Sequence, residues 1–253
     1  MNTILFERHE LDSESRLRLR PGDKRLEHIR NVLRAGAGDR LHAGVVDGVR
    51  GALEIEADSP DGMLFRFLPS EIGRSGAQAA GGVPISVLLG SVRPIVLKRL
   101  LRDLTSFGVD EILVARTELS ERSYFGAKVW AGTRLREALI EGAAQGGHTR
   151  LPRVGRYDSL QESLRSRVRH HGEEEARIVL TSGSPPLPEA VAGSCFPRVL
   201  LAVGPERGFI DREMAMLTDF GFVPVGLPGG TLRTESAAIA GVAAVRSVIR
   251  ATD

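Results

Sequence analysis

Three short segments rich in glycine and proline hold the residues best placed for chemistry. They are Thr181-Ser182-Gly183-Ser184-Pro185-Pro186, Gly204-Pro205-Glu206-Arg207-Gly208-Phe209 and Pro228-Gly229-Gly230-Thr231-Leu232-Arg233-Thr234-Glu235. Each follows an apolar run, ending at Leu180, Val203 and Leu227. In an open parallel sheet, ligands bind beyond the carboxyl ends of the strands. Glycine lets backbone N–H and C=O groups come close to a flat ligand and admits positive φ. Three such loops at one end of one sheet predict a small-molecule pocket, and the last loop ends in the charged Arg233-Thr234-Glu235.

Several other chemistries lack their residues. No G-x-G-x-x-G follows a strand, no G-x-x-x-x-G-K-[ST] cradles phosphate and no H-E-x-x-H is present. The six histidines, His9, His28, His42, His148, His170 and His171, show no ligand spacing. A single cysteine, Cys195, leaves no disulfide framework and no cysteine cluster for a metal. A mechanism that uses no metal is therefore expected, in a reducing, cytoplasmic compartment. His170-His171, among Arg167, Arg169, Glu173 and Glu174, reads as a solvated loop.

The elements that must position the three loops follow from periodicity. Apolar runs at 83–89, 111–115, 176–180, 198–203 and 222–227 alternate with helical patterns at 95–107, 128–145, 159–169, 211–220 and 235–249. In the first of those helices Leu97, Leu100, Leu101 and Leu104 share a face. Asp211 is the expected N-cap of the fourth. Buried strands alternating with amphipathic helices predict an α/β fold with a parallel sheet. The small-residue stretch 73–82 reads as a linker. Before it, alternating segments at 40–46 and 52–57, with turn signals at Gly38-Asp39, Asp47-Gly48 and Asp61-Gly62, predict a small β-rich domain. Its one helix, over 23–34, is expected to turn Leu26, Ile29 and Leu33 inward.

Across 253 residues, 34 Lys and Arg against 32 Asp and Glu leave a net charge of +2, so no whole-molecule field points to a partner. Arg16, Arg18, Arg20, Lys24, Arg25, Arg30 and Arg34 nevertheless concentrate positive charge in the first domain, interleaved with Glu7, Glu10, Asp12, Glu14, Asp23 and Glu27. The acidic start of the chain has no apolar core of a signal peptide, and the longest apolar stretch, 237–245, is too short for a bilayer.

Leu201-Ala202-Val203-Gly204-Pro205-Glu206-Arg207-Gly208-Phe209, followed by Leu232-Arg233-Thr234-Glu235-Ser236-Ala237-Ala238, resembles the SPOUT class of S-adenosylmethionine-dependent RNA methyltransferases. Within that class the chain is similar to the RsmE family, which methylates N3 of a uridine in 16S ribosomal RNA. Three further segments carry the likeness, in order: His28-Ile29-Arg30-Asn31-Val32-Leu33-Arg34, Glu121-Arg122-Ser123, and the stretch from Glu141 to Pro152. Departures are local. Arg207 stands where the family has glycine, Pro228, Gly230 and Thr231 interrupt its L-G-x-R-I-L pattern, and Arg102 to Gly108 replaces its Q-K-x-x-E-L-G.

The resemblance implies a PUA-like RNA-binding β-barrel over 1–72, a linker over 73–82 and a SPOUT domain over 83–253 with a C-terminal trefoil knot. It also implies a homodimer acting on ribosomal RNA of the small subunit, with S-adenosylmethionine as cofactor. Cofactor contacts are expected from Thr181, Val203, Gly204, Pro205, Glu206, Gly208, Phe209, Leu227, Gly229, Leu232, Thr234 and Ala237. Uracil N3 carries a proton, so transfer needs a base or a group that stabilises a developing oxyanion. Arg233, Glu235 and Glu206 are the candidates, Glu235 being equally suited to a helix start. RNA contacts are expected from Arg25, His28, Arg30, Arg34, Arg122 and Arg150, with phosphate and shape recognition dominating. Stacking is not expected, because Trp130, Tyr124 and Tyr157 all lie outside the first domain. Alternatives within this reading are methylation of another RNA or of a ribose 2′-hydroxyl, and a non-catalytic RNA-binding assembly factor.

Overall fold

The structure is a computed structural model and describes residues 3–70, 83–171, 175–187 and 196–249. The 73–82 stretch and Cys195 lie outside the described residues. The chain divides into two compact units, Met1–Ala79 with Ile140–Leu151, and Ala80–Leu139 with Pro152–Asp253.

The first unit is built on a five-stranded sheet in the order β1-β3-β4-β5-β2. Its strands are β1 (Ile4–Phe6), β2 (Arg16–Leu19), β3 (Arg40–Val45), β4 (Arg50–Ser59) and β5 (Gly62–Pro69). β1 runs parallel to β3 and the other pairs are antiparallel, so the ladder is one open series from β1 to β2. Phe6, Leu17, Leu26, Ile29, Leu53 and Phe65 form its core. Phe6 and Phe67 meet edge to face at 5.0 Å. The predicted turns are present: Asp47 adopts φ 53° between β3 and β4, and Gly62 adopts φ 135° after the β4–β5 turn.

The helix expected over 23–34 is real only in part. Helix α1 (Lys24–His28) is capped by Asp23, whose side chain accepts the Arg25 N–H, and then gives way to a π turn over Ile29–Leu33. The wider i→i+5 turn breaks the three-residue spacing. Leu26 and Ile29 are buried as expected, whereas Leu33 is 42% exposed and Val32 64% exposed. Residues 140–151 also belong to this unit. Ala143 and Ala144 pack with Leu5 and Val46. The Asp47 N–H donates to the Thr149 carbonyl at 2.8 Å, and Asp47 Oδ1 accepts from the Leu151 N–H at 2.8 Å.

The second unit carries a six-stranded, all-parallel sheet in the order β11-β9-β10-β6-β7-β8. The strands are β6 (Ile85–Gly90), β7 (Glu111–Ala115), β8 (Arg153–Tyr157), β9 (Ala176–Leu180), β10 (Val199–Val203) and β11 (Val223–Val225). β6 and β10 are buried along their whole length, as expected of strands covered on both faces. The helices are α2 (Pro94–Ser106), α3 (Arg134–Gly146), α4 (Leu160–His171), α5 (Asp211–Asp219) and α6 (Thr234–Val248). α3 passes into the residues of the first unit at Ile140.

α2 starts with Pro94 at a position that needs no N–H and buries Leu97, Leu100, Leu101 and Leu104, as the spacing predicted. The chain leaves it at Gly108, with φ 69°. The small residues of α6 serve its own sheet: a Cβ on Gly241 would lie 2.8 Å from Leu180 Cδ1 and 2.9 Å from Leu201 Cδ2. Three expectations are corrected. The N-cap of α5 is Ile210 rather than Asp211, α3 begins at Arg134 rather than near 128, and α4 continues through His171, so that pair lies on helical backbone.

At the amino end of this sheet Arg167 of α4 is buried against Glu175, just before β9, and Glu111, at the start of β7. It also donates to Ser86 Oγ of β6 at 2.8 Å. Arg177 lies 3.6 Å from the same Glu175. Burying these charges costs several kcal/mol each, which only complete pairing offsets.

Candidate active site at the carboxyl end of the parallel sheet

Strands β11, β9 and β10 are neighbours, so the three glycine-rich loops leave the sheet side by side. The loops after β9 and β11 are laced together. Thr181 N–H donates to the Val225 carbonyl at 2.9 Å, Gly226 N–H to Pro185 at 2.7 Å and Leu187 N–H to Gly226 at 3.2 Å. Gly226 permits this, since its Cβ would lie 2.4 Å from the Ser184 carbonyl oxygen. The loop after β10 closes on itself through the Gly208 N–H to Pro205 carbonyl bond at 2.9 Å, with Gly208 at φ 73°. Pro205 rests on the end of β6, where a Cβ on Gly90 would lie 2.4 Å from its Cδ.

Other side chains hold this end of the sheet in place. Glu206 Oε1 accepts the Arg93 N–H at 3.1 Å, just ahead of α2, which fixes the carboxylate at a helix start. Glu213 of α5 is buried, and its two oxygens accept from Glu118 N–H at 2.8 Å and Ile210 N–H at 3.1 Å. It thereby ties the loop after β7 to the loop after β10. Ser120 Oγ donates to the Ser91 carbonyl at 2.9 Å and lies 2.6 Å from Thr117 Oγ1. Tyr124, in a short 3₁₀ turn over Arg122–Gly126, sits near Glu121, Arg93 and Glu206. Burial and the negative charge of Glu121 raise its phenol above the ordinary tyrosine value.

Sequence reasoning passed over Glu213, Gly90, Arg93 and Tyr124. Only Glu213 left a usable signal, a glutamate three residues after the helix cap that reaches back to the Ile210 N–H.

Of the expected cofactor residues, Thr181, Val203 to Glu206, Gly208, Phe209, Leu227 and Gly229 all lie at this end of β9, β10 and β11. Leu232 is exposed in the loop that leads to α6, Thr234 is buried in the first turn of α6, and Ala237 is half-buried one turn on. Arg233 is the exposed N-cap of α6, and Glu235 lies half-buried in its first turn, in the field of the helix N-terminus. Thr181 Oγ1 is buried and has no hydrogen-bond partner. A Cβ added at Gly183, Gly208, Gly229 or Gly230 would meet nothing within 4 Å, so these backbones face open space. An unpaired hydroxyl beside open glycine backbone suits a polar, flat ligand such as an adenosine group, which takes its hydrogen bonds from main chain and hydroxyls. Among the described residues, no cluster of three or more His, Cys, Asp or Glu could hold a metal ion, and no helix is long and apolar enough to cross a membrane.

The expected RNA residues divide. Arg25 is internally engaged: it binds Glu10 and Asp23, both at 2.7 Å, and donates to the Leu5 carbonyl at 3.1 Å. Burial opposes its charge, but the bonds to Asp23 and Glu10 outweigh it and raise its pKa. Its guanidinium thus braces the first unit and is not free for a phosphate. Arg30 pairs with Asp58 and the Ser59 carbonyl. His28 is half-buried, with Nε2 unpaired. Arg34 is exposed in the left-handed conformation that ends the π turn, and Arg150 is exposed in the segment that folds with the first unit. Arg122 is exposed in the second unit, in the loop after β7.

Residues 81–246 match the family model described as an RNA methyltransferase domain. The chain belongs to this RNA methyltransferase family. A ribosomal RNA small subunit methyltransferase E from Treponema pallidum is 31% identical over 250 residues, covering 97% of this chain and 90% of that protein. The match places the chain in the RsmE branch of the family. Two solved structures share the fold over 98% of both chains. A ribosomal RNA small subunit methyltransferase E from Neisseria gonorrhoeae, bound to S-adenosyl methionine, has TM-score 0.72 at 18% identity. A methyltransferase from Legionella pneumophila, in complex with the same cofactor, has TM-score 0.74 at 21% identity.

Proposed function

We propose that this RNA methyltransferase uses S-adenosylmethionine to methylate N3 of a specific uridine in the 16S ribosomal RNA of the small subunit. The observation that carries the reading is the end-to-end similarity to a named small subunit methyltransferase. The open glycine loops around the unpaired Thr181 hydroxyl supply the matching pocket. S-adenosylmethionine bound there brings a methyl group already activated on a sulfonium. The protein then has to align donor and acceptor and manage one proton.

Backbone groups of Val203, Gly204, Gly208, Leu227, Gly229 and Leu232 would hold the adenosine, and Thr181 Oγ1 would donate to it. Arg233 lies at the mouth and stabilises negative charge on the uracil oxygen as N3 loses its proton. Glu235, in the first turn of α6, accepts that proton. Glu206 is engaged with the Arg93 N–H, which suits positioning of its loop better than proton transfer. N3 lies on the Watson–Crick edge, so the target base must be unpaired or flipped. Arg34, Arg122 and Arg150 contact the RNA.

In this reading residues 1–72, completed by Ile140–Leu151, form a PUA-like domain, 73–82 a linker and the rest of 83–253 a SPOUT domain. The trefoil knot that the family resemblance implies lies in its last third, where the Gly226 loop is laced to Pro185 and Leu187. Exposed Ile95 on α2 and Leu232 before α6 support a homodimer. The enzyme works in the cytoplasm.

Incubation with S-adenosylmethionine and unmethylated small subunits, followed by nucleoside mass spectrometry, is the test. Appearance of 3-methyluridine is expected. A 2′-O-methylated nucleoside overturns the position of transfer. RNA binding with neither cofactor binding nor product makes the chain an assembly factor, its loops disabled at Arg207, Pro228 and Gly230.

A further inference from the structure

The exposed Arg156 of β8 places its guanidinium carbon 5.5 Å from the centre of the Phe125 ring and 5.7 Å from that of the Trp130 ring, both rings in the segment after β7. Its Nη1 also donates to the Phe125 carbonyl at 3.0 Å. No carboxylate pairs with it among the described residues. An ordinary solvated arginine keeps its side chain mobile, with about 2 kcal/mol of rotamer entropy. Here two rings and a carbonyl already hold the guanidinium, so that entropy is spent before any ligand arrives.

The surrounding charge is mixed, Glu121 and Asp158 being exposed as well, but it includes arginines able to meet phosphate. Arg116 is exposed, and its N–H donates to the carbonyl of Tyr157, the residue after Arg156. Arg122 is exposed three residues before Phe125. The nearby Glu118 is answered by Arg212 at 3.0 Å. Single-stranded RNA is bound by this combination, with bases stacking on aromatic rings or guanidinium planes while arginines track the backbone.

We propose that Arg156, held on Phe125 and Trp130, is a stacking platform for an unpaired base of the substrate RNA, with Arg116 and Arg122 taking its phosphates. This rests on the reading of the chain as an RNA methyltransferase and adds to it a second contact, at the edge of the catalytic unit.

Trp130 is the only tryptophan in the chain, so its emission reports on this surface alone. The test adds a short oligouridylate to the full-length protein and follows tryptophan emission together with fluorescence anisotropy of the labelled RNA. Saturable quenching is expected, with the same midpoint as the anisotropy change. Arg156→Ala and Arg156→Lys should both weaken binding about tenfold, the size of one lost base stack, because lysine keeps the charge and loses the plane. Their S-adenosylmethionine affinity and circular dichroism should match the parent protein.

RNA binding without quenching overturns the platform and leaves the methyltransferase reading standing. Full affinity in Arg156→Lys also overturns it, since charge alone then suffices. A protein that transfers methyl to subunits but binds no oligouridylate overturns it as well. If neither transfer nor RNA binding occurs, the reading it rests on falls with it.

Discussion

At the amino end of the parallel sheet Arg167 is enclosed by Glu175, Glu111 and Ser86, and its charge is answered on each side. At the carboxyl end of the same sheet Thr181 Oγ1 is buried with no partner, and glycine backbones at 183, 208, 229 and 230 face open space. One end neutralises itself and the other keeps hydrogen-bonding capacity in reserve. The difference separates a buried charge whose partners the fold supplies from a buried hydroxyl for which the fold supplies none. Complete pairing leaves a ligand nothing to gain, while an unpaired hydroxyl lowers stability until something binds it.

The comparison breaks most visibly at Arg167. Arg167→Met leaves the buried Glu175 with only Arg177, 3.6 Å away, to answer its charge, and urea denaturation should show a loss of about 3–5 kcal/mol. S-adenosylmethionine affinity, measured by calorimetry on the folded fraction, should stay within twofold; a large fall would mean that the two ends are not independent. Gly90→Ala tests the opposite end by steric means. Its Cβ would sit 2.4 Å from Pro205 Cδ, costing about 1–3 kcal/mol of stability. Displacement of the loop over 204–209 should lower cofactor affinity tenfold or more, and an unchanged calorimetric titration would remove that loop from the pocket.

Thr181→Val is the sharper probe, because its two effects should differ in sign. Removing the unpaired hydroxyl should leave the free protein equally stable or stabilise it by about 1 kcal/mol. Cofactor affinity should fall about fivefold, the size of one hydrogen bond. Loss of stability without loss of affinity would show that the hydroxyl is paired inside the protein.

The smallest effect is spectroscopic. Tyr124 is held above the ordinary value of 10.0 by burial and by Glu121, so its phenol should ionise late in an ultraviolet titration compared with the Tyr124→Phe difference spectrum of unfolded protein. Glu121→Gln should move that ionisation to lower pH, because the charge opposing phenolate is gone. A titration that does not move would assign the shift to burial alone.

How much of this was legible depended on how local the cause was. The second unit could be read because buried parallel strands are continuous apolar runs, and the runs at 111–115 and 176–180 coincide with β7 and β9. β8, with the sequence R-V-G-R-Y, escaped because an edge strand need not be apolar. The three loops were legible as a group, because their glycines are the residues that close approach requires. Their alignment on adjacent strands was not, since strand order is a long-range property.

In the first unit the face of Leu33 was misread because one π turn defeats a fixed helical period. Arg25 looked like a phosphate ligand because its partner Glu10 lies on a segment with no pattern to place it. Stacking was not expected, because Trp130, Tyr124 and Tyr157 all lie outside the first domain. Only the fold brings Arg156 to Phe125 and Trp130.

The turn at Asp47 is fastened by Thr149 and Leu151, about a hundred positions further along the chain. Leu5 and Val46 likewise wait for Ala143 and Ala144 to cover them. The order of synthesis therefore matters. When the first seventy or so residues leave a translating ribosome, their strands can pair, but one patch of their core stays wet until the chain has been extended past residue 151. Contacts so distant in sequence are slow to form. The amino-terminal piece is thus born incomplete, and it is finished by residues made in the middle of the chain.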